Sequence, residues 1–408
     1  MVSVPKVTGM VGIMSELHAI SEAAAHVSGI CFKTGPPERV GVELEWTVHH
    51  AASPGAPLTI DDLRDALGPY APETIGNPDP VPLPGGGAVT VEPGGQVELS
   101  SAPADDVQTL YDQVTAGRAL IDERLARAGL VLGGNGLDPH RPPRRLVHTP
   151  RYGAMQRLFD RRGEHGRIMM CSTAGLQVCL DAGRPEDLAA RWAAVHEFGP
   201  PLLAAFATSR YRAGRDTGWA CGRMGTWLNM EPGLTRPVAV NQDPAGAWAQ
   251  YVLEAPLLCL RSDDDNWDAP PGLTFAGWIR SGLPRPPTVE DLDYHLGALF
   301  PPVRPRGYLE VRYLDAQPGD EWIAPAAVLT ALLDEAVIDE ARDLAAPAHD
   351  RWLEAAREGL SCPAIAKAAT GLLDLASRNL DLPVPLRDRV TGIIGRRLAA
   401  QPRKERLT

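Results

Sequence analysis

Long apolar runs are missing from this 408-residue chain: no window approaches the ~18 consecutive apolar residues of a membrane helix. The N-terminal segment is interrupted by Glu16, His18, Glu22 and His26, where a secretory signal needs a continuous apolar core. A cytoplasmic protein is the expectation. C-x-x-C spacing is also absent among the six cysteines (Cys31, Cys171, Cys179, Cys221, Cys259 and Cys362), which argues against a disulfide scaffold or a zinc knuckle and for reduced, mostly buried thiols. Positive charge is outnumbered, 40 Lys and Arg against 51 Asp and Glu. The net charge of -11 disfavours a nucleic-acid surface, and the one basic run, the tail QPRKERLT with Arg403, Lys404 and Arg406, reads as a solvated terminus. The chain contains no G-x-x-x-x-G-K-[ST], no H-E-x-x-H and no G-x-S-x-G, so its glycine pairs read as turns, and Lys33-Thr34-Gly35 lacks the partner motifs of a β-lactamase triplet.

The composition that remains is that of globular protein, 44% hydrophobic and 22% charged, enough for one large core or two smaller ones. Forty glycines and 39 prolines punctuate it with loops without reaching low complexity. Residues 1–37 form a weakly helical lead that stops at Gly35-Pro36-Pro37. Strict alternation follows: Val40, Val42, Leu44 and Trp46 share one parity, Glu43, Glu45 and Thr47 the other, the pattern of a half-buried strand. A short helix is expected over residues 60–67. AVTVEPGGQVELSSAP then reads as two strands around Pro93-Gly94-Gly95, with Glu92 at the turn and Gln96, Glu98 and Ser100 on one side of the second strand.

Asp105 and Asp106 open a helix running to about residue 128, its apolar stripe carried by Val107, Leu110, Tyr111 and Val114. IMMCSTAGLQVCLD is read as a strand, with Gln177 and Cys179 opposite Leu176 and Val178. A helical stretch covers residues 185–209, residues 219–301 give no clear pattern, and Asp263–Asp265 reads as a solvated loop. YLEVRYLD is a further polar-faced strand, placing Tyr308, Glu310 and Arg312 together. From residue 325 the chain turns Ala/Leu-rich and helical, so residues 38–324 form the expected core and 325–408 a helical part packed on it. Hairpin-like strands of this kind predict an α+β fold with an antiparallel sheet, one face polar.

Glu43 and Glu45 lie ~6.6 Å apart at ~3.3 Å of rise per residue, too far to share a proton tightly and close enough to flank one cation or two. If Glu92, Glu98 and Glu310 join them, five carboxylates repel one another unless a hard divalent cation, Mg2+ or Mn2+, neutralises them. The same alternation is also that of an ordinary solvent-facing sheet, and polar faces in separate strands need not converge.

RVGVELEW, VTVEPGGQVELSSAP, RYGAMQRLF with MMCSTAGLQVCLD, and YLEVRYLD, in this order over residues 39–315, resemble the glutamate-cysteine ligases of plants and many bacteria, and within them the actinobacterial branch that serves ergothioneine synthesis. The resemblance implies a core similar to glutamine synthetase, an antiparallel saddle-like sheet with the active site on its concave face. It also implies ATP-dependent joining of the glutamate γ-carboxylate to the cysteine amine through an acyl phosphate. Residue by residue, Glu43, Glu45, Glu92, Glu98 and Glu310 match metal-binding positions, and Gln177 falls where some relatives place a metal-binding histidine. Arg151 and Arg223 match the arginines that grip the substrate carboxylate, and Arg312 matches the phosphate-facing arginine of the late strand; a cross-strand salt bridge to a glutamate is the plainer role for Arg312. A related ligase with another acceptor amine, or a non-catalytic ATP or amino-acid binder of the same fold, are the competing readings.

Overall fold

The computed structural model describes residues 16–399; the basic tail and the first part of the N-terminal lead lie outside them. Six strands form the main sheet: β1 (Val40–Trp46), β2 (Ala88–Val91), β3 (Val97–Ser100), β4 (Gly175–Leu180), β5 (Val303–Pro305) and β6 (Leu309–Asp315). Their spatial order is β2-β3-β1-β4-β6-β5, and every pairing is antiparallel. The chain is thus α+β with an antiparallel sheet, as the alternating patterns predict.

Alternation divides the sheet into two faces. Val42, Leu44, Leu176, Val178, Leu309 and Val311 are buried on one face, part of a core to which the helices Val107–Arg127 and Ile323–Leu332 also contribute. The first helix begins where expected because the Asp106 carboxylate caps it, accepting from the Thr109 amide at 2.7 Å. The other face carries the polar residues, and it is not wet. Glu43, Glu98, Gln177, Glu310 and Arg312 are all buried, so the half-buried strand expected at β1 is covered on both sides.

Two stretches differ from the sequence reading. Residues 168–172 of the expected IMMCSTAGLQVCLD strand belong to the helix His165–Ser172, and the strand starts only at Gly175. A run of Ile and Met satisfies both periods, and here Gly175 marks the change. The unpatterned stretch 219–301 holds five short helices, Gly222–Leu228, Pro232–Thr235, Pro244–Glu254, Phe275–Ser281 and Val289–Leu296. Asp263–Asp265 is exposed, as expected.

Candidate active site

The turn between β2 and β3 shows why EPGGQ reads as it does. Gly95 has φ +86°, a left-handed conformation that favours glycine. A Cβ on Gly94 would meet the Cys171 backbone carbonyl at 2.4 Å, so only glycine allows this approach. The Gln96 side chain locks the contact: its Oε1 accepts from the Gly94 amide at 3.0 Å while its Nε2 donates to the Thr173 carbonyl at 2.8 Å. The turn is thereby fastened to the segment leading into β4, and Glu92 and Glu98 are set beside β1.

Register does the rest. Glu45 stands opposite Glu98, and Glu43 opposite both Ser100 and Gln177. Glu98 accepts from Thr90 Oγ1 at 2.8 Å and Ser100 Oγ at 3.2 Å, and Glu45 accepts from the Gly175 amide at 2.7 Å. Loss of water and the like charges of Glu98 and Glu310 push the Glu43 carboxyl up to about 7. The same causes, with Glu98 and Glu45 as the like charges, push Glu92 up to about 8. Glu45 is raised as well, by burial and Glu98, against the pull of Arg223 and the Gly175 amide. In all three, burial is the larger cause and the like charge of neighbouring carboxylates adds to it. Among the described residues, no three of these carboxylates bring oxygens within 4.8 Å of one another; the one such cluster is Glu354, Glu358 and Cys362, elsewhere in the chain. Glu43, Glu45, Glu92 and Glu98 are oxygen donors of the kind suited to Mg2+ that shares its coordination with substrate phosphates.

Glu310 departs from the expected metal ligand. Arg304, directly across the ladder on β5, donates through Nε at 2.6 Å and Nη2 at 3.1 Å, and Arg312 Nη1 donates at 2.9 Å. Burial would raise this carboxyl, but the two guanidiniums hold it well below the usual range. Its charge is spent on arginines, and Arg304 is a site residue the sequence reading missed. Gln177 departs too: its Oε1 accepts from Arg312 Nη1, and its Nε2 faces Glu45 at 3.4 Å. The amide links arginine to carboxylate instead of offering a free oxygen.

Arg312 is 8% exposed and bonded to Glu310, two residues back on the same strand, and to Gln177 on the neighbouring strand; the cross-strand ion pair to Glu310 is made by Arg304 instead. Arg151 lies on the helix Pro150–Asp160, which Thr149 caps; it donates to the Gly297 carbonyl at 2.8 Å and stacks on Tyr294 at 5.0 Å, while its Nε has no partner. Arg223 is 1% exposed. It stacks on Trp227 at 5.0 Å, and its guanidinium occupies the space a side chain at Gly175 would need. It is a brace inside the site wall, not the open carboxylate grip expected. A cleft of about 640 Å3 is lined by His165, Arg212, Arg215, Trp219 and Thr226 and includes none of Glu43, Glu45, Glu92, Glu98 and Glu310.

The sequence pattern of glutamate-cysteine ligase family 2 (GCS2) matches residues 39–387. The chain belongs to this family. The match runs past residue 325, so the C-terminal helices up to the start of the last one, Val384–Ala399, are part of the family pattern. A protein named glutamate--cysteine ligase EgtA from Mycolicibacterium smegmatis is 38% identical over 92% of this chain and 88% of its own length. One of the same name from Mycobacterium tuberculosis is 38% identical over 90% of this chain and 84% of its own. A chloroplastic glutamate--cysteine ligase from Brassica juncea is 29% identical over 67% of this chain and 54% of its own.

Proposed function

We propose that this family member joins the γ-carboxylate of L-glutamate to the amine of L-cysteine at the expense of ATP, giving γ-glutamylcysteine, ADP and phosphate. The resemblance to the actinobacterial branch makes ergothioneine synthesis the use of that product. The observation that carries the reading is the polar sheet face itself, where Glu43, Glu45 and Glu98 share one surface with an arginine held by Glu310 and Gln177. A glutamate γ-carboxylate oxygen attacks the terminal phosphorus of ATP, and the bond to ADP breaks, leaving an acyl phosphate. The cysteine amine then attacks the acyl carbon; the C–N bond forms, the C–O bond breaks, phosphate leaves and the amine loses its proton.

Glu43, Glu45, Glu92 and Glu98 are the groups that would hold Mg2+. When bound, the ion neutralises phosphate charge. Glu310, Arg304 and Gln177 orient Arg312 toward the phosphoryl group in transit, a planar cation matched to phosphate oxygens. Arg151, with a free Nε beside Glu92, is the candidate for the glutamate α-carboxylate. With ATP, Mg2+ and glutamate present, hydroxylamine in place of cysteine should trap the acyl phosphate as glutamyl hydroxamate. Absence of hydroxamate under conditions where cysteine supports ADP release would remove the acyl phosphate from the mechanism.

A further inference from the structure

β6 does not run regularly against β4. Val311 faces Val178 and Leu314 faces Leu176, so Arg312 and Tyr313 together stand against Gln177 alone. Arg312 also stands one step past the last pair of β6 with β5, so its amide can still follow that register while its carbonyl needs a partner from outside the sheet. The Arg312 amide donates to the Pro302 carbonyl at 2.9 Å. The Arg312 carbonyl accepts from Arg223 Nη2 at 2.9 Å. A side chain from a separate helix thus holds the backbone of the phosphate-facing arginine.

Arg223 is held in turn. Its own amide donates to Ser209 Oγ at 3.0 Å, and Ser209 Oγ donates to Asp315 Oδ2 at 2.6 Å. Asp315 is 2% exposed and takes two further donors, the Thr208 amide at 2.8 Å and Cys221 Sγ at 3.3 Å. Cys221 and Ser209 flank the start of the helix Gly222–Leu228 that carries Arg223. Asp315 stands only three residues beyond Arg312, so the path Arg312, Arg223, Ser209, Asp315 closes a ring across the bulge. Burial raises the Asp315 carboxyl while the positive charge of Arg223 opposes that rise, so the two ends of the ring also attract. A Cβ on Gly136 would meet Asp315 Cγ at 2.4 Å, and the space around the carboxylate is closed.

We infer that Asp315 is a positioning residue for the ligation, acting through Ser209 and Arg223 to fix the bulge from which Arg312 projects. It touches no substrate. The inference rests on the reading of Arg312 given above. Asp315→Asn keeps the shape but removes the charge that faces Arg223 and replaces one accepting oxygen by an NH2, so the Thr208 link opens or the Cys221 contact reverses, and the ring is weakened. The expected result is a kcat about tenfold lower with the KM for glutamate changed by less than about twofold, since orientation is lost and binding is not. The decisive readout is the double mutant. Arg312→Lys should lower kcat steeply, and adding Asp315→Asn to it should cost nothing further, because the ring then has nothing to aim.

Ser209→Ala opens the same ring with less disturbance and should show the same non-additivity, which covers the case in which Asp315→Asn does not fold. Losses that multiply fully in the double mutants, or Asp315→Asn and Ser209→Ala enzymes as fast as the parent beside a slow Arg312→Lys, would overturn the positioning role. An Arg312→Lys enzyme as fast as the parent would instead strike the phosphate-facing reading of Arg312, and this inference with it.

Discussion

Glu92 and Glu310 both descend from the same sequence-level expectation of a metal ligand, yet the structure gives them opposite electrostatic roles. Glu92 has a carboxyl raised to about 8 by burial and the charges of Glu98 and Glu45, against an unfolded value near ~4.3. The folded state therefore binds its proton more tightly, and stability is lost as pH rises from about 4.3 toward 8. Glu310 is depressed by Arg304 and Arg312, so its contribution is present above the unfolded value and lost on acidification. Glu92→Gln should then raise the unfolding midpoint of the metal-free protein at pH ~8.5 and change it little near pH ~4, where both side chains are neutral. Glu310→Gln should lower stability by about 3–5 kcal/mol at neutral pH, because it leaves two buried arginines without their counter-charge. Thermal unfolding of the two variants across that range checks the signs. A stabilising Glu310→Gln would return Glu310 to the carboxylate cluster.

At the scale of elements, the period-two patterns carry most of the site. Parity pairs Glu43 with Glu45, Gln96 with Glu98, and Glu310 with Arg312, each within its own strand, and the registers bring Glu43, Glu45, Glu98, Gln177, Glu310 and Arg312 to one face. Parity fails where the strand is irregular. Counted from Glu310, Asp315 belongs with the apolar side; the extra residue at the bulge returns it to register with Gly175 and the polar face. Arg304 escaped notice because β5 is only three residues long, too short to show alternation. The burial of the polar face was also illegible, since what covers a strand lies far away in sequence. The EPGGQ turn is the element whose chemistry the sequence shows most fully, and it carries a prediction. Gly94→Ala pushes a methyl carbon against the Cys171 backbone, which no flexible side chain can relieve. Stability should fall by about 1–3 kcal/mol, and ADP formation should fall further than stability explains, because Glu92 and Glu98 move with the turn. Unchanged activity in a Gly94→Ala protein would separate the turn from the site.

The whole molecule is a sheet with an apolar face built into the core and a polar face that gathers charge. Its net charge of -11 means that anionic ATP approaches against the overall field, a penalty that Mg2+ complexation reduces. No helix among the described residues is long and apolar enough to cross a membrane, and the family pattern spans residues 39–387, the core together with the C-terminal helices up to the start of the last. The measurement that tests the central claim most directly is ADP release with ATP, Mg2+ and glutamate against a panel of acceptor amines, run on the parent chain beside Glu43→Gln and Glu45→Gln. The account predicts release with cysteine, none with the other amino acids of the panel, and none from either variant although both stay folded. Release with a different amino acid at the cysteine rate, release from the variants at the parent rate, or no release with cysteine would contradict it.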